Sequence, residues 1–356
     1  MITLNWTGPK SFCPARFLKG FKIREAVIFK VDNYNKDTLG VNEHFIYKMS
    51  RLGVMISVLS PICLFWAGFR WEWLVACLIV HRFLLWGHSM CLHTYFSHGA
   101  FKAKRWFQFF MGCVGTMAHL GSLNAYAGIH VNVHHPNADK DGDAHSPIHG
   151  FWHAFIAWRY KEHFTNPKGV KPVRVKSVYN WVDPRFKNYP EIRFLWRYGF
   201  QMQNLSFPLA YLLGMVLEYY FPAHITAMAF FVYIKCLPCL AVQLGLLSIN
   251  VMGHSHWFGY KSFNSDDNSR NSFIAFLIWG STCFHNNHHM FPKSARTGLS
   301  FWETCFDFDY LGLKVLEKFG VVWGIIEPSK ERIEKEREAY RVTENKELFI
   351  DLDSAA

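Results

Sequence analysis

The sequence predicts an all-α integral membrane protein whose four transmembrane helices form two hairpins. Three observations predict it: four long apolar runs paired across short turns, basic residues gathered on one side of those runs, and nine histidines crowded beyond their ends. The 356 residues are 51% hydrophobic and 18% aromatic yet carry a net charge of +11, so apolar surface and charge must be segregated along the chain.

Residues 1–51 form a basic N-terminal segment. The first hairpin, 52–90, pairs a run from about Leu52 to Phe69 with one from about Trp73 to Met90 across the turn at Arg70 and Glu72. The second, 205–249, pairs Leu205 to Phe221 with Thr226 to Ile249 across Phe221, Pro222, Ala223 and His224. Each run approaches the roughly 20 residues that cross a bilayer. Their length and their fringe of Trp, Phe and Tyr argue against the buried helices of a large soluble protein. Residues 91–204 and 250–326 lie between and after the hairpins, and 327–356 form a charged tail with helical propensity that turns acidic at its end, as a solvated helix does.

Basic residues orient the spans. Lys10, Arg16, Lys19, Lys22, Arg24, Lys30, Lys36, Lys48 and Arg51 precede the first, and Lys102, Lys104, Arg105, Arg159, Lys161, Lys168, Lys171, Arg174 and Lys176 lie between hairpins, whereas the turns within hairpins offer only Arg70. The positive-inside rule then puts both termini and every histidine cluster on the cytoplasmic side. No cleavable signal peptide is expected, since Met1 to Lys30 has no sustained apolar core, and the first span serves as its own insertion signal.

Lesser features complete the plan. The nine cysteines have no disulfide spacing and are expected reduced, with Cys236 and Cys239 as small hydrophobes within a span. Trp106 to Leu120 and Phe151 to Trp158 suit helices at the membrane interface, and Lys168 to Pro190 a surface loop. Lys235 and Glu218 interrupt the spans. Lys235 is expected to reach toward the far interface or to have a functional role.

The histidines are His93 and His98 in HTYFSH, His130, His134 and His135 in HVNVHH, His285, His288 and His289 in FHNNHH, and His254 in NVMGH. Residues three and four apart on a helix share a face, so each cluster is expected to offer its nitrogens to one point. One ion cannot use nine imidazoles, whereas two can. Without cysteine in the set, an iron–sulfur cluster is disfavoured and iron, copper or zinc is favoured.

The stretches HTYFSHGAFKAKR, HHPNADKDGDAHSPIHGFW, NVMGHSHWFGYKSFNSDDNSRNS and FHNNHHMFPKSARTGLSFWE together resemble the membrane-bound fatty acyl desaturases of the stearoyl-CoA type, in order along roughly Phe65 to Trp323. The resemblance implies four transmembrane helices under a cytoplasmic helical cap that holds two iron ions. It further implies O2 as co-substrate, a fatty acyl substrate, and electrons from a ferredoxin or a small b-type cytochrome, with no tightly bound organic cofactor. Carried over, it makes His93, His98, His134, His135, His254, His285, His288 and His289 iron ligands. Asn250, four residues before His254, resembles an asparagine that reaches iron through water. His81, His88, His119, His145, His149, His153 and His256 match no ligand position. His145, near Asp139, Asp141 and Asp143, is a candidate to support one.

Departures accompany the likeness. Val131, Asn132 and Val133 put three residues between His130 and the histidine pair where the family has two, so a local helix bulge is needed to return His130 to the site. Thr94 and Gly99 stand for arginines, Asn124 and Tyr126 for tryptophans, and Gly280 to Cys283 for a Gly-Glu-Gly stretch. These positions surround the metal and the head-group entrance. The sequence therefore fits desaturation of an acyl-CoA, acyl-carrier-protein or acyl-lipid chain, with acetylenation, hydroxylation or decarboxylation to a terminal alkene as alternatives. The expected location is a bacterial inner membrane or the endoplasmic reticulum. A transporter would need polar groups along its spans, and the basic residues are membrane flanks rather than a nucleic-acid surface.

Overall fold

The computed structural model describes residues 39–160, 163–164, 173–174 and 181–354. The basic residues from Lys10 to Lys36, Cys13 and, within the loop expected from Lys168 to Pro190, residues 168–172 and 175–180 lie outside them.

Helix α1 (Glu43–Leu59) starts where the Asn42 side chain accepts the Phe45 N–H. Pro61 tightens the next turn (Ser60–Cys63), the helix resumes over Leu64–Ala67, and Gly68 ends it at φ 67°, a conformation glycine takes without steric cost. Helix α2 (Trp71–Trp86) returns and continues into wider turns over Gly87–Ser97, past the expected end at Met90. Helices α3 (Arg105–Met117), α4 (Leu123–Ile129) and α5 (Phe151–Phe155) follow, with α4 continuing through wider turns over His130–His134.

Helix α6 (Pro190–Tyr220) is a 31-residue rod, about 46 Å at the usual rise per residue. Its first half buries Ile192, Leu195 and Trp196 against α3, and its second half is the expected third span. Helix α7 (Ala227–Met252) packs back on α6 and α2. Beyond it come α8 (Phe276–Trp279), α9 (His285–Met290), α10 (Phe301–Phe306), α11 (Phe308–Lys318) and α12 (Lys330–Ser354). Two short antiparallel ribbons, Lys102–Ala103 with Val322–Trp323 and His163–Phe164 with Val173–Arg174, tie the connecting segments.

Among the described residues three stretches are long and apolar enough to cross a membrane: Lys48–Ala67, Trp71–Ser97 and Ala227–Met252. The second half of α6, entered just after Gln203 and Asn204 and interrupted by Glu218, exposes Leu209, Leu212, Leu213, Met215 and Val216. The hairpin turns meet, since Arg70 Nη1 donates to the His224 carbonyl at 3.4 Å and the Tyr233 hydroxyl to that of Gly68 at 2.9 Å. Glu218 caps α7 by accepting the Ala227 N–H at 2.8 Å.

Lys235 departs from the expectation that it reaches outward. Its side chain is buried, with Nζ 2.6 Å from His119 Nε2, because an ammonium in an apolar bundle finds its nearest acceptor there rather than in water. Cys236 and Cys239 are free and buried, as a hydrophobic role requires.

Among the described residues three helical segments are wound to a wider, π-type pitch, with backbone bonds from His98 to His93, from His135 to His130, and from Leu237 to Val232. Their residues include His93, His130, His134 and Lys235, all singled out by the sequence.

Candidate metal centre

The nine clustered histidines converge through their Nε2 atoms on two adjacent points. In the first group His93 lies 3.0 Å from His288, His288 3.0 Å from His135, His135 3.1 Å from His130, and His130 3.0 Å from His98. In the second, His134 lies 3.3 Å from His289 and His285 lies 2.9 Å from His254, with all four nitrogens mutually within 4.8 Å. The wider turn at His130–His134 absorbs the extra residue of the second cluster and brings His130 into the first group.

The expectation that each cluster points to one place does not hold. His285 and His289, one turn apart, share a group, while His288 serves the other. His130 and His134 part likewise, and the wider turn brings His135, five residues on, beside His130 instead. A helix advances about 100° per residue, so each His–His doublet straddles both groups.

Carboxylates hold the second group from behind. Asp143 Oδ2 lies 2.9 Å from His134 Nδ1, Asp139 Oδ2 2.8 Å from His254 Nδ1, and Asp267 Oδ2 2.6 Å from His289 Nδ1. Each bond fixes a tautomer and turns Nε2 inward. Among the described residues no such carboxylate backs His93, whose buried Nδ1 finds no hydrogen-bond partner there.

Burial keeps His130, His134, His135, His285 and His288 well below the usual imidazole range and takes His98 down to about 3. These rings are neutral and free to donate lone pairs. Burial opposes charge on His254 too, but Asp139, Asp267 and Asp143 outweigh it and hold this ring at about 9. Asp267, which burial alone would raise, is held low by His289.

The donor set fits transition-metal ions. Two nitrogens at right angles, each about 2.1 Å from one ion, lie about 3.0 Å apart, and the shorter nitrogen–nitrogen edges here are 2.9–3.1 Å. Nine imidazole nitrogens without thiolate suit iron, copper or zinc.

Other residues divide clearly. Asn250 lies on the wall of the adjoining cavity with His285, and its amide nitrogen donates to the Ala154 carbonyl at 3.1 Å. His145 joins neither group. Its ring packs 4.4 Å from that of His134 and its backbone N–H donates to Asp143. His88 bonds the Tyr126 hydroxyl at 2.7 Å, and His153 bonds the Ala144 carbonyl at 2.8 Å.

The departures acquire structural reasons. Thr94 bonds the Ser89 carbonyl inside the widened helix, and Asn124 donates to the Trp181 carbonyl. Gly99, at φ 62°, lies beneath Arg185, whose guanidinium pairs with Asp183 and donates to the carbonyls of Phe96 and Ser97. A Cβ on residue 99 would collide with it. A guanidinium therefore still stands over the first cluster, delivered from elsewhere in the chain.

Sequence reasoning missed Asp267 and the polar frame of α9. Asn286 accepts the N–H groups of Ser262 and Phe263, while Asn287 donates to Thr297 and to Glu303, a buried carboxylate that also accepts from Tyr260. The two asparagines between the histidines of FHNNHH were the available signal.

A model of the fatty acid desaturase family matches residues 52–304. The chain is 28% identical over 264 residues to the hex-5-enoyl-[acyl-carrier protein] acetylenase of Moorena producens, covering 70% of this chain and 76% of that protein. It is 28% identical over 244 residues to the sn-1 stearoyl-lipid 9-desaturase of Anabaena variabilis, covering 67% and 78%. It is 26% identical over 281 residues to the icosanoyl-CoA 5-desaturase of Limnanthes douglasii, covering 79% and 71%. With the family match spanning most of its length and both histidine groups assembled, the chain belongs to the fatty acid desaturase family.

Proposed function

We propose that this protein is an O2-dependent, membrane-bound di-iron oxidase that introduces a double bond into a long-chain fatty acyl substrate. The observation that carries the reading is the convergence of nine imidazole nitrogens on two neighbouring points beside a largely apolar cavity. One iron would be held by His93, His98, His130, His135 and His288. The other would be held by His134, His254, His285 and His289, with Asn250 acting through water.

Bound iron supplies the reductive activation of O2 that an unactivated methylene requires. Two hydrogens leave the chain, and with two electrons delivered one at a time by a ferredoxin or small b-type cytochrome and two protons from solvent, O2 ends as two waters. The protein's own part is positioning. Leu120, Ile129, Phe200 and Leu246 give an alkyl chain an apolar berth, while His93, His130, His134 and His285 line the same cavity.

The topology we propose has four spans, with the second half of α6 as the third, and with both termini and the histidine groups on the cytoplasmic side. The meeting of Arg70 with His224 supports it by joining both hairpin turns at one end. Acetylenation is the second reading, favoured by the acetylenase among the relatives and by the altered residues Thr94, Gly99 and Tyr126 beside the site.

Expression in a host lacking the activity, with gas chromatography and mass spectrometry of its lipids beside a His288→Ala control, tests the reading. A new unsaturated acid absent from the control is expected. An acetylenic, hydroxylated or terminal-alkene product would replace the first reading by an alternative. Iron-loaded, reduced protein that alters no lipid would defeat both.

A further inference from the structure

We propose that Lys235 is a positioning residue that, through His119, fixes the stretch of cavity wall formed by Leu120 and Gly121 and thereby selects which carbons of the acyl chain lie beside the histidines. The inference rests on the desaturase reading above.

Lys235 is 9% exposed, within the wider-pitched part of α7. Its Nζ lies 2.6 Å from His119 Nε2 and 4.7 Å over the Phe207 ring. Ser206 Oγ approaches the same imidazole nitrogen at 3.4 Å. One helical turn away, buried Gln203 donates to the Thr116 carbonyl at 2.8 Å and to the Gly121 carbonyl at 2.9 Å. The turn joining α3 to α4 is thus gripped on both sides of His119 by side chains from α6 and α7.

That turn needs gripping. His119 has φ 62°, a left-handed conformation unfavourable for a residue with a Cβ, and it persists only where the surroundings impose it. The two residues that follow, Leu120 and Gly121, line the cavity shared with His93, His130 and His285.

An ammonium within an apolar helix is kept at a cost that packing alone does not require, since methionine has similar length and none of the charge. The use visible here is the bond to His119. An alkyl chain offers no polar handle by which its carbons can be counted, so wall shape decides how far it slides. One methylene of fit changes discrimination by about tenfold.

The test compares wild type, Lys235→Met and Leu120→Phe in a host fed saturated acyl chains that differ by one methylene. Product chain length and double-bond position are read by mass spectrometry, beside iron per chain and thermal midpoint. K235M is expected to keep wild-type iron and to change the ratio of products at least about fivefold. L120F, which leaves Lys235 and His119 untouched but thickens the wall, is expected to shift the ratio toward shorter chains. Wild-type ratios in either variant overturn the proposal. If K235M does not accumulate, His119→Gln is read in its place with the same two outcomes. Wild-type protein that yields no altered acyl chain sinks the desaturase reading and this inference with it, whereas altered product at unchanged ratio sinks only the inference.

Discussion

His288 and His289 are sequence neighbours whose ring planes stand at 90°, with centroids 5.7 Å apart, and their Nε2 atoms serve different histidine groups. His134 and His135 divide in the same way. The two doublets are therefore hinges between centres, and each ties the position of one group to that of the other.

Removing one ring of a doublet should disable one metal position at a time. His288→Ala and His289→Ala are each expected to lower iron from two per chain toward one and to reduce turnover by more than about 100-fold, since even residues that merely support ligands cost about 10–100-fold. Iron analysis with Mössbauer spectroscopy should find different signals lost. Loss of the same signal in both variants would contradict the division.

Asp267 tests the backing of the second group. Replacing its carboxylate by an amide in Asp267→Asn keeps an acceptor for His289 Nδ1 but removes the charge. Chelator competition should show one of two irons held about 10–100-fold more weakly, with the helical circular dichroism unchanged. Both irons holding as in wild type would deny Asp267 that role.

Acid should strip the metal. Burial holds His98, His130, His134, His135, His285 and His288 below their unfolded value of about 6.5, so their contribution to folding is complete above that pH and fades as pH falls toward the folded values, about 3 for His98. His254, held at about 9, has the opposite sign in the metal-free chain, contributing fully below 6.5 and losing this as pH rises through 9. Iron per chain after dialysis is expected to hold from about pH 7 down to about pH 5 and to fall as pH approaches about 3, where His98 takes up a proton. Loss of iron already at about pH 6, from protein that keeps its helical circular dichroism, would contradict the neutral-ligand assignment.

The topology can be read chemically. A cysteine introduced by Ala223→Cys, in the turn that meets Arg70, should react with a membrane-impermeant maleimide from outside intact cells, while exposed Cys305 should react only after permeabilisation. Equal labelling of both from outside would overturn the four-span arrangement.

Local patterns in the sequence carried much of the fold and the identity of the clustered histidines. Apolar runs of bilayer length read directly as α1, α2 and α7, and the one-residue excess before His134 pointed to the widened turn later found there. The sharing of histidines between two points was less legible, because helical spacing groups His285 with His288 as readily as with His289. Partners distant in sequence were illegible for a simpler reason. His119 lies 116 residues from Lys235, and Asp267 lies 22 from His289, so no periodicity links them. The second half of α6 fell between these cases, since a few polar residues mask an otherwise apolar, outward-facing stretch.

Arg185 above Gly99 couples two positions far apart in the chain. A side chain at residue 99 would have to push the Arg185 guanidinium aside and sit in a left-handed backbone besides. Any chimera that places a side chain at residue 99 while keeping the segment around Asp183 must move that guanidinium off its partners. The smallest transferable unit around that cluster is thus discontinuous, made of residues almost ninety apart.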